Sequence, residues 1–179
     1  MCIRDSPKSS FPKTNIAVAD VFHSIANLVS KEADPTFTLI YSRLAQYLDR
    51  NHVDSTLMTA DLLVELGQYD LAIKEHEKLS DGQPQFFASE LGRAEALRSS
   101  GKEMAAIEVL VELTRQYPNS ANSFSILGHH YRRIEAYDKA EVSYREAIKL
   151  YEAKGEAGWF LYYVRGITRE RLDFWGLAE

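Results

Sequence analysis

Residues 121–147 read ANSFSILGHHYRRIEAYDKAEVSYREA, and this stretch holds two helical stripes. Phe124, Leu127, Gly128 and Tyr131 recur at three- and four-residue intervals, which sets them along one side of a helix. Ala140, Tyr144 and Ala147 do the same for a second helix, and a tight turn joins the two. Gly128 and Ala140 carry no bulk beyond Cβ, so the helix axes can approach closely while aromatic rings fill the space beside them. A larger residue at Gly128 would overpack the contact.

Outward from this unit the pattern repeats with a period of 34. Small residues fall at Ala26, Ala60, Ala94 and Gly128, and a second series at Ala72, Ala106 and Ala140. Ala60 to Ala72, Ala94 to Ala106 and Gly128 to Ala140 are each 12 apart, with Gly67 and Gly101 at equivalent points between. Self-similarity at this period marks tandem helix-turn-helix units. Chain punctuation agrees. Pro84 and Pro118 are expected to end second helices, Asn119-Ser120 offers N-caps, and Asp34-Pro35 reads as a cap followed by a proline at the first helical position.

The aromatic, Leu-Gly, Tyr, Ala and aromatic at Phe124, Leu127-Gly128, Tyr131, Ala140 and Tyr144 resemble the signature of the tetratricopeptide repeat family. The resemblance implies an all-α fold, an α-α superhelix or solenoid of tandem helix-turn-helix repeats. It covers residues 19–179, with repeats at about 19–52, 53–86, 87–120 and 121–158 and a partial one at 159–179. Gly128 to Gly166 and Ala140 to Ala178 are both 38 apart, so an insertion around residues 153–158 delays the fifth repeat. Thr38, Arg50, His76 and Arg169 depart from the family pattern. Segments beginning Leu39-Ile40-Tyr41 and Arg165-Gly166-Ile167 resemble long bacterial members, and the chain is expected to be a piece of a longer protein. The fifth repeat's first helix would then lack its partner, leaving an apolar patch around Tyr162, Trp175 and Leu177 and a tendency to self-associate.

Residues 1–6, MCIRDS, read as the translated tail of a transposase adapter used in sequencing libraries and are set aside. Residues 7–18 are expected to be a linker or the end of a preceding repeat. Cys2 is the chain's one cysteine and lies within the adapter-like segment, so disulfides and thiolate metal sites drop out. Cytoplasm and periplasm both stay open.

Composition narrows the function classes. With 179 residues, 45% hydrophobic and 26% charged, the chain is globular, and a net charge of −5 offers no general field for nucleic acid. The longest apolar run, Trp159 to Val164, is too short to span a membrane. His129 and His130 are neighbours on a helix and point about 100° apart, so they do not chelate one ion as an i, i+4 pair does. His23, His52 and His76 read as isolated structural residues. No phosphate loop, HExxH or nucleophile elbow is present. Pairs such as Asp54 with Asp61 and Glu108 with Glu112 read as solvated faces, so neither an enzyme nor a cofactor is expected.

The resemblance points instead to first helices lining a concave groove that takes a peptide or a partner helix. After the packing positions are removed, the candidate groove residues are Asn27, Asp61, Leu91, Arg98, His129, Arg132, Arg133, Tyr163 and Arg171, with the groove acidic at the second repeat and basic with aromatic character toward the fifth. Co-chaperone members clamp a terminal carboxylate. Their clamp positions correspond here to His23, Asn27, Met58, Ala88 and Gly92, of which Asn27 alone matches, so that ligand is excluded. The arginines can receive an acidic segment or pair with nearby Glu as ordinary surface charges. The leading expectation is an interaction scaffold. A targeting arm for an enzyme domain outside these residues and a spacer in a bacterial envelope assembly, bound through the convex face, are the alternatives.

Overall fold

Asp34 and Ser120 begin helices as their side chains allow. In the computed structural model, which describes residues 12–156 and 158–176 and the side chains of 14–156 and 158–173, Asp34 Oδ1 accepts from the Thr36 amide at 2.8 Å, and Ser120 Oγ accepts from the Ser123 amide at 3.4 Å. Among the described residues the secondary structure is entirely helical. Contacts divide the chain into two compact units between Ser80 and Asp81. The first holds α1 (Pro12–Val29), α2 (Pro35–Leu48), α3 (Val53–Glu65) and α4 (Tyr69–His76); the second holds α5 (Phe86–Ser99), α6 (Glu103–Gln116), α7 (Ala121–Arg133), α8 (Tyr137–Lys154) and α9 (Trp159–Gly176). Within each unit, consecutive helices pack as antiparallel neighbours, and the fold is an all-α solenoid of helical repeats.

The small-residue series is the spine of both units. Ala26, Ala60, Ala94, Ala72, Ala106 and Ala140 are all buried, as is Gly128. Thr38, in place of the alanine of the first repeat, is buried too. A further series emerges with the same period: Ser55, Ser89 and Ser123 are fully buried, near the starts of α3, α5 and α7. Their hydroxyls serve local needs, with Ser123 Oγ donating to Ser120 O at 2.9 Å. In the second unit the core gathers Ala140, Tyr144, Ala147, Ile148, Leu161 and Val164, flanked by Phe124, Tyr131 and Tyr151.

Three boundaries differ from the sequence expectation. The first helix begins at Pro12, so residues 12–18 are helical and continuous with the first repeat; proline is well tolerated in a helix's first turn and no breaker separates it from Ala19. The helix before Pro84 ends early, at His76. There the backbone tightens into three-residue bonds, Lys78 N to Glu75 O at 3.2 Å and Leu79 N to His76 O at 3.1 Å, which turn Leu79 into the core. Pro84 thus stands in the turn ahead of α5 and ends no helix. The insertion at 153–158 is largely absorbed as one extra helical turn: α8 has 18 residues where α6 has 14.

The turns between paired helices share one geometry. Gln68 N bonds Leu63 O at 2.8 Å, Lys102 N bonds Leu97 O at 2.9 Å and Ala136 N bonds Tyr131 O at 3.0 Å, each closing a helix through a left-handed residue. That residue is Gly67 (φ +71°), Gly101 (φ +80°) and, in the third turn, Glu135 (φ +60°). A side chain in this region costs about 1–2 kcal/mol. Glu135→Gly should therefore raise stability by up to about 1 kcal/mol, after the entropy that glycine adds to the unfolded chain. Denaturant midpoints of the two proteins check it, and a lower midpoint for the variant would show that the Glu135 side chain contributes more than its backbone strain removes.

Candidate functional site

In the first unit, α1 and α3 present a cleft of about 460 Å³. Helical spacing brings His23 and Asn27 from α1 against Asp54, Leu57, Asp61 and Glu65 from α3, so the two predicted residues Asn27 and Asp61 line one cleft. Partial burial pushes the Asp61 carboxyl above the usual range, although the residue as a whole is exposed. The Asn27 amide is held by His23: Asn27 Nδ2 lies 2.8 Å from His23 Nε2, and His23 Nδ1 lies 3.1 Å from Ser55 Oγ.

His23 and His52 are not isolated, contrary to the expectation from their spacing. Their rings meet at a centroid distance of 5.1 Å because stacking of α1 on the start of α3 brings residues 29 apart in sequence together. His52 Nδ1 caps α3 by accepting from the Ser55 amide, and its Nε2 contacts Asp20 Oδ1 at 3.1 Å. Burial, with the charge of His52, holds His23 below the ordinary histidine value.

In the second unit the predicted residues divide by what they touch. Arg98 forms a two-point pair with Glu95, Nε to Oε2 being 2.7 Å, and holds the Glu95 carboxyl below its usual range. Arg133 Nε lies 3.6 Å from Glu103 Oε2, and the other oxygen of that carboxylate is 2.8 Å from His130 Nδ1. Two of the four candidate arginines are thus engaged with carboxylates of the same unit. Burial pulls the His130 ring below its ordinary value even though Glu103 acts in the opposite sense. Leu91 is half-buried on α5, and Arg171 is exposed on α9.

His129, Arg132 and Tyr163 form a different group. His129 Nδ1 lies 2.7 Å from the hydroxyl of Tyr144, a fully buried ring. Burial, then the nearby Arg132 and His130, hold His129 below the usual histidine range, and burial pushes the Tyr144 phenol up. On α9, Phe160 stands 6.1 Å from the His129 ring, and Trp159 stands 6.0 Å from Phe160 and 6.3 Å from Tyr163. Trp159, Phe160, Tyr162 and Tyr163 are all exposed, forming an aromatic shelf beside the α7 cations. Of the apolar patch expected around Tyr162, Trp175 and Leu177, the Trp175 side chain and Leu177 lie outside the described residues.

One feature escaped the sequence reading. A largely apolar cleft of about 410 Å³ opens between the second helices α6 and α8, lined by Val111 and Val142, with Phe124, Leu127 and Tyr131 of α7 beside them. Lys139 Nζ sits 5.7 Å from the Tyr131 ring centre at its edge. The available signal was Val142, an apolar residue off the packing stripe of α8.

Among the described residues no group of three His, Cys, Asp or Glu side chains could hold a metal ion, and no helix is long and apolar enough to cross a membrane. Residues 61–171 match the family model for the Psidin N-terminal TPR repeats region. Among solved structures the chain is similar to MamA, residues 41 to end, from Desulfovibrio magneticus RS-1, with a TM-score of 0.70 and 19% identity over 87% of this chain and 85% of that one. It is also similar to YrrB, described as a TPR protein with an unusual peptide-binding site, with a TM-score of 0.63 and 16% identity over 92% of this chain and 84% of that one. No curated protein matches the sequence significantly. The family match spans well over half of the chain, the repeat geometry and the solved folds agree with it, and the chain belongs to the tetratricopeptide repeat family, in the group of the Psidin N-terminal repeats region.

Proposed function

We propose that this chain is an interaction scaffold that holds a peptide segment or partner helix against its first helices and does no chemistry of its own. The observation that carries the reading is the α9 shelf: Trp159, Phe160 and Tyr163 expose large rings, and Phe160 stands 6.1 Å from the ring of His129 on α7. Exposed aromatics of this kind, rimmed by polar groups, are what a docking partner covers. Leu91, Arg98, Arg133 and Arg171 belong to the proposed surface of the second unit, with Arg98 and Arg133 serving chiefly as partners of Glu95 and Glu103, and Asn27 and Asp61 belong to the proposed surface of the first. YrrB's description as a peptide-binding TPR protein supports the same use of this fold.

The apolar cleft between α6 and α8 favours a second reading, contact through the second helices, as a spacer in an assembly would use. Affinity capture from a lysate of the source organism separates the two. Phe160→Ser with Tyr163→Ser alters the shelf, and Val142→Glu alters the cleft; all three residues are exposed, so the fold should tolerate the changes. Partners lost with the shelf variant and kept by Val142→Glu support the first-helix reading. The reverse pattern overturns it in favour of the second helices. A second copy of the chain is a further candidate occupant of the shelf, and a sedimentation coefficient that rises with concentration in the natural chain but not in the shelf variant would identify it.

A further inference from the structure

The Tyr144 hydroxyl fixes the proton on a histidine at the surface. Tyr144 is fully buried, and its hydroxyl lies 2.7 Å from His129 Nδ1. Among the described residues the hydroxyl has no other hydrogen-bond partner, and a buried O–H left without an acceptor is costly. The single phenol proton therefore goes to His129 Nδ1, which is the accepting nitrogen. A neutral imidazole that accepts at Nδ1 carries its hydrogen at Nε2. Burial and the flanking charges of Arg132 and His130 oppose a second proton on the ring. Across the ring from Tyr144, Nε2 has no acceptor among the described residues and is not among the buried orphan atoms, so this N–H faces solvent.

Two donors therefore stand one helical turn apart at the end of α7: the His129 Nε2–H and the N–H groups of the exposed Arg132. Glu103, a nearby carboxylate, is already flanked by His130 Nδ1 at 2.8 Å and Arg133 Nε at 3.6 Å. The Phe160 ring closes one side of the pair at 6.1 Å, and Trp159 extends the apolar surface.

We propose that His129 and Arg132 form a two-donor seat for the side-chain carboxylate of an extended peptide, whose neighbouring apolar residue lies on the Phe160 and Trp159 rings. The assignment rests on the first-helix reading above and names the chemistry of its partner. Positive charge beside a fixed neutral donor suits Asp or Glu; the amide of Asn offers an acceptor without the charge, and Lys offers no acceptor. Tyr144 is a positioning residue: it touches no ligand and acts by setting the tautomer.

The test uses acetylated, amidated nonapeptide pools, random except for a central Asp-Phe, Asn-Phe or Lys-Phe, so that no terminal carboxylate contributes. Binding to the whole chain is read by fluorescence polarisation, alongside ring-nitrogen NMR of the histidines assigned with His129→Phe. The free protein should show His129 protonated at Nε2, and Tyr144→Phe should mix the tautomers. The Asp pool should bind about tenfold more tightly than the Asn pool, as one charge-assisted contact predicts. That preference should fall to within about twofold in Arg132→Gln and in His129→Phe, the first being an exposed change that leaves the core intact. A hydrogen at Nδ1 in the free protein, or Asp and Asn pools that bind equally, overturns the seat while leaving the scaffold reading in place. Absence of binding by every pool overturns both.

Discussion

Gly128→Ala lowers the stability of this protein, although it replaces a poor helix former with the best. On propensity alone, the change in mid-helix should gain about 1 kcal/mol. A Cβ on residue 128, however, would stand 2.7 Å from Cδ1 and Cε1 of Tyr144 and 3.1 Å from its Cζ. The ring cannot retreat, since it is 0% exposed and its hydroxyl is tied to His129. Overpacking costs about 1–3 kcal/mol, so a net loss of up to about 2 kcal/mol is expected, and Gly128→Leu should lose more. Denaturant midpoints measure it. In a cycle with Tyr144→Leu, the penalty of the alanine should largely vanish, because the two changes act on one contact. A stabilised Gly128→Ala would mean that the ring shifts freely and that α7 and α8 do not depend on this approach.

The second large effect belongs to the first unit. Glu75, only 5% exposed, anchors α4 to α2: its Oε1 lies 2.6 Å from Arg43 Nη1, and its Oε2 lies 2.9 Å from Gln46 Nε2 and 2.5 Å from Lys78 Nζ. Burial alone would raise the Glu75 carboxyl, but the hydrogen bonds from Lys78, Arg43 and Gln46 outweigh it and hold the group below its ordinary 4.5. Arg43→Ala strands part of that charge. Breaking a fully buried pair costs about 3–5 kcal/mol. Here Arg43 is 40% exposed and Lys78 persists as a partner, so about 2 kcal/mol is expected at neutral pH. Because the folded-state value is depressed, the contribution is complete above pH 4.5 and is lost as pH falls through the lower folded value. Stability curves of the natural chain and the variant should therefore converge in acid; a gap that persists there would assign the loss to Arg43's packing instead of its charge. Replacing both partners with apolar residues, as in Arg43→Met with Glu75→Leu, should recover much of the deficit.

The features legible in the sequence were those set by local rules or strict recurrence. Ala60, Ala94 and Gly128 had to be small because helices meet there, and a period of 34 displays that demand three times over. Asp34 and Ser120 act on amides two and three residues away, so their roles were readable without a fold. Glu135 at the place of Gly67 and Gly101 was equally visible in the register, but its positive φ follows from the turn and not from the residue. What could not be read depends on distances between helices. The early end of α4 requires Leu79 to find a core. The meeting of His23 with His52, and the capture of Arg133 by Glu103, depend on how one repeat stacks on the next, which a spacing rule within a repeat does not contain. The candidate residues could therefore be named from the sequence but their pairing could not, and pairing decides which arginines are spoken for.

The exposure of Trp159 has an optical consequence. At 77% exposed it is a hydrated indole, whose emission sits at the red end of the tryptophan range, and the chain contains just one other tryptophan, Trp175. With Trp175→Phe as background, fluorescence would come from this single ring on the α9 shelf. Anything that settles on the shelf must strip water from it and shift the emission toward the blue, so the protein carries its own label for occupancy at the surface where a partner is expected.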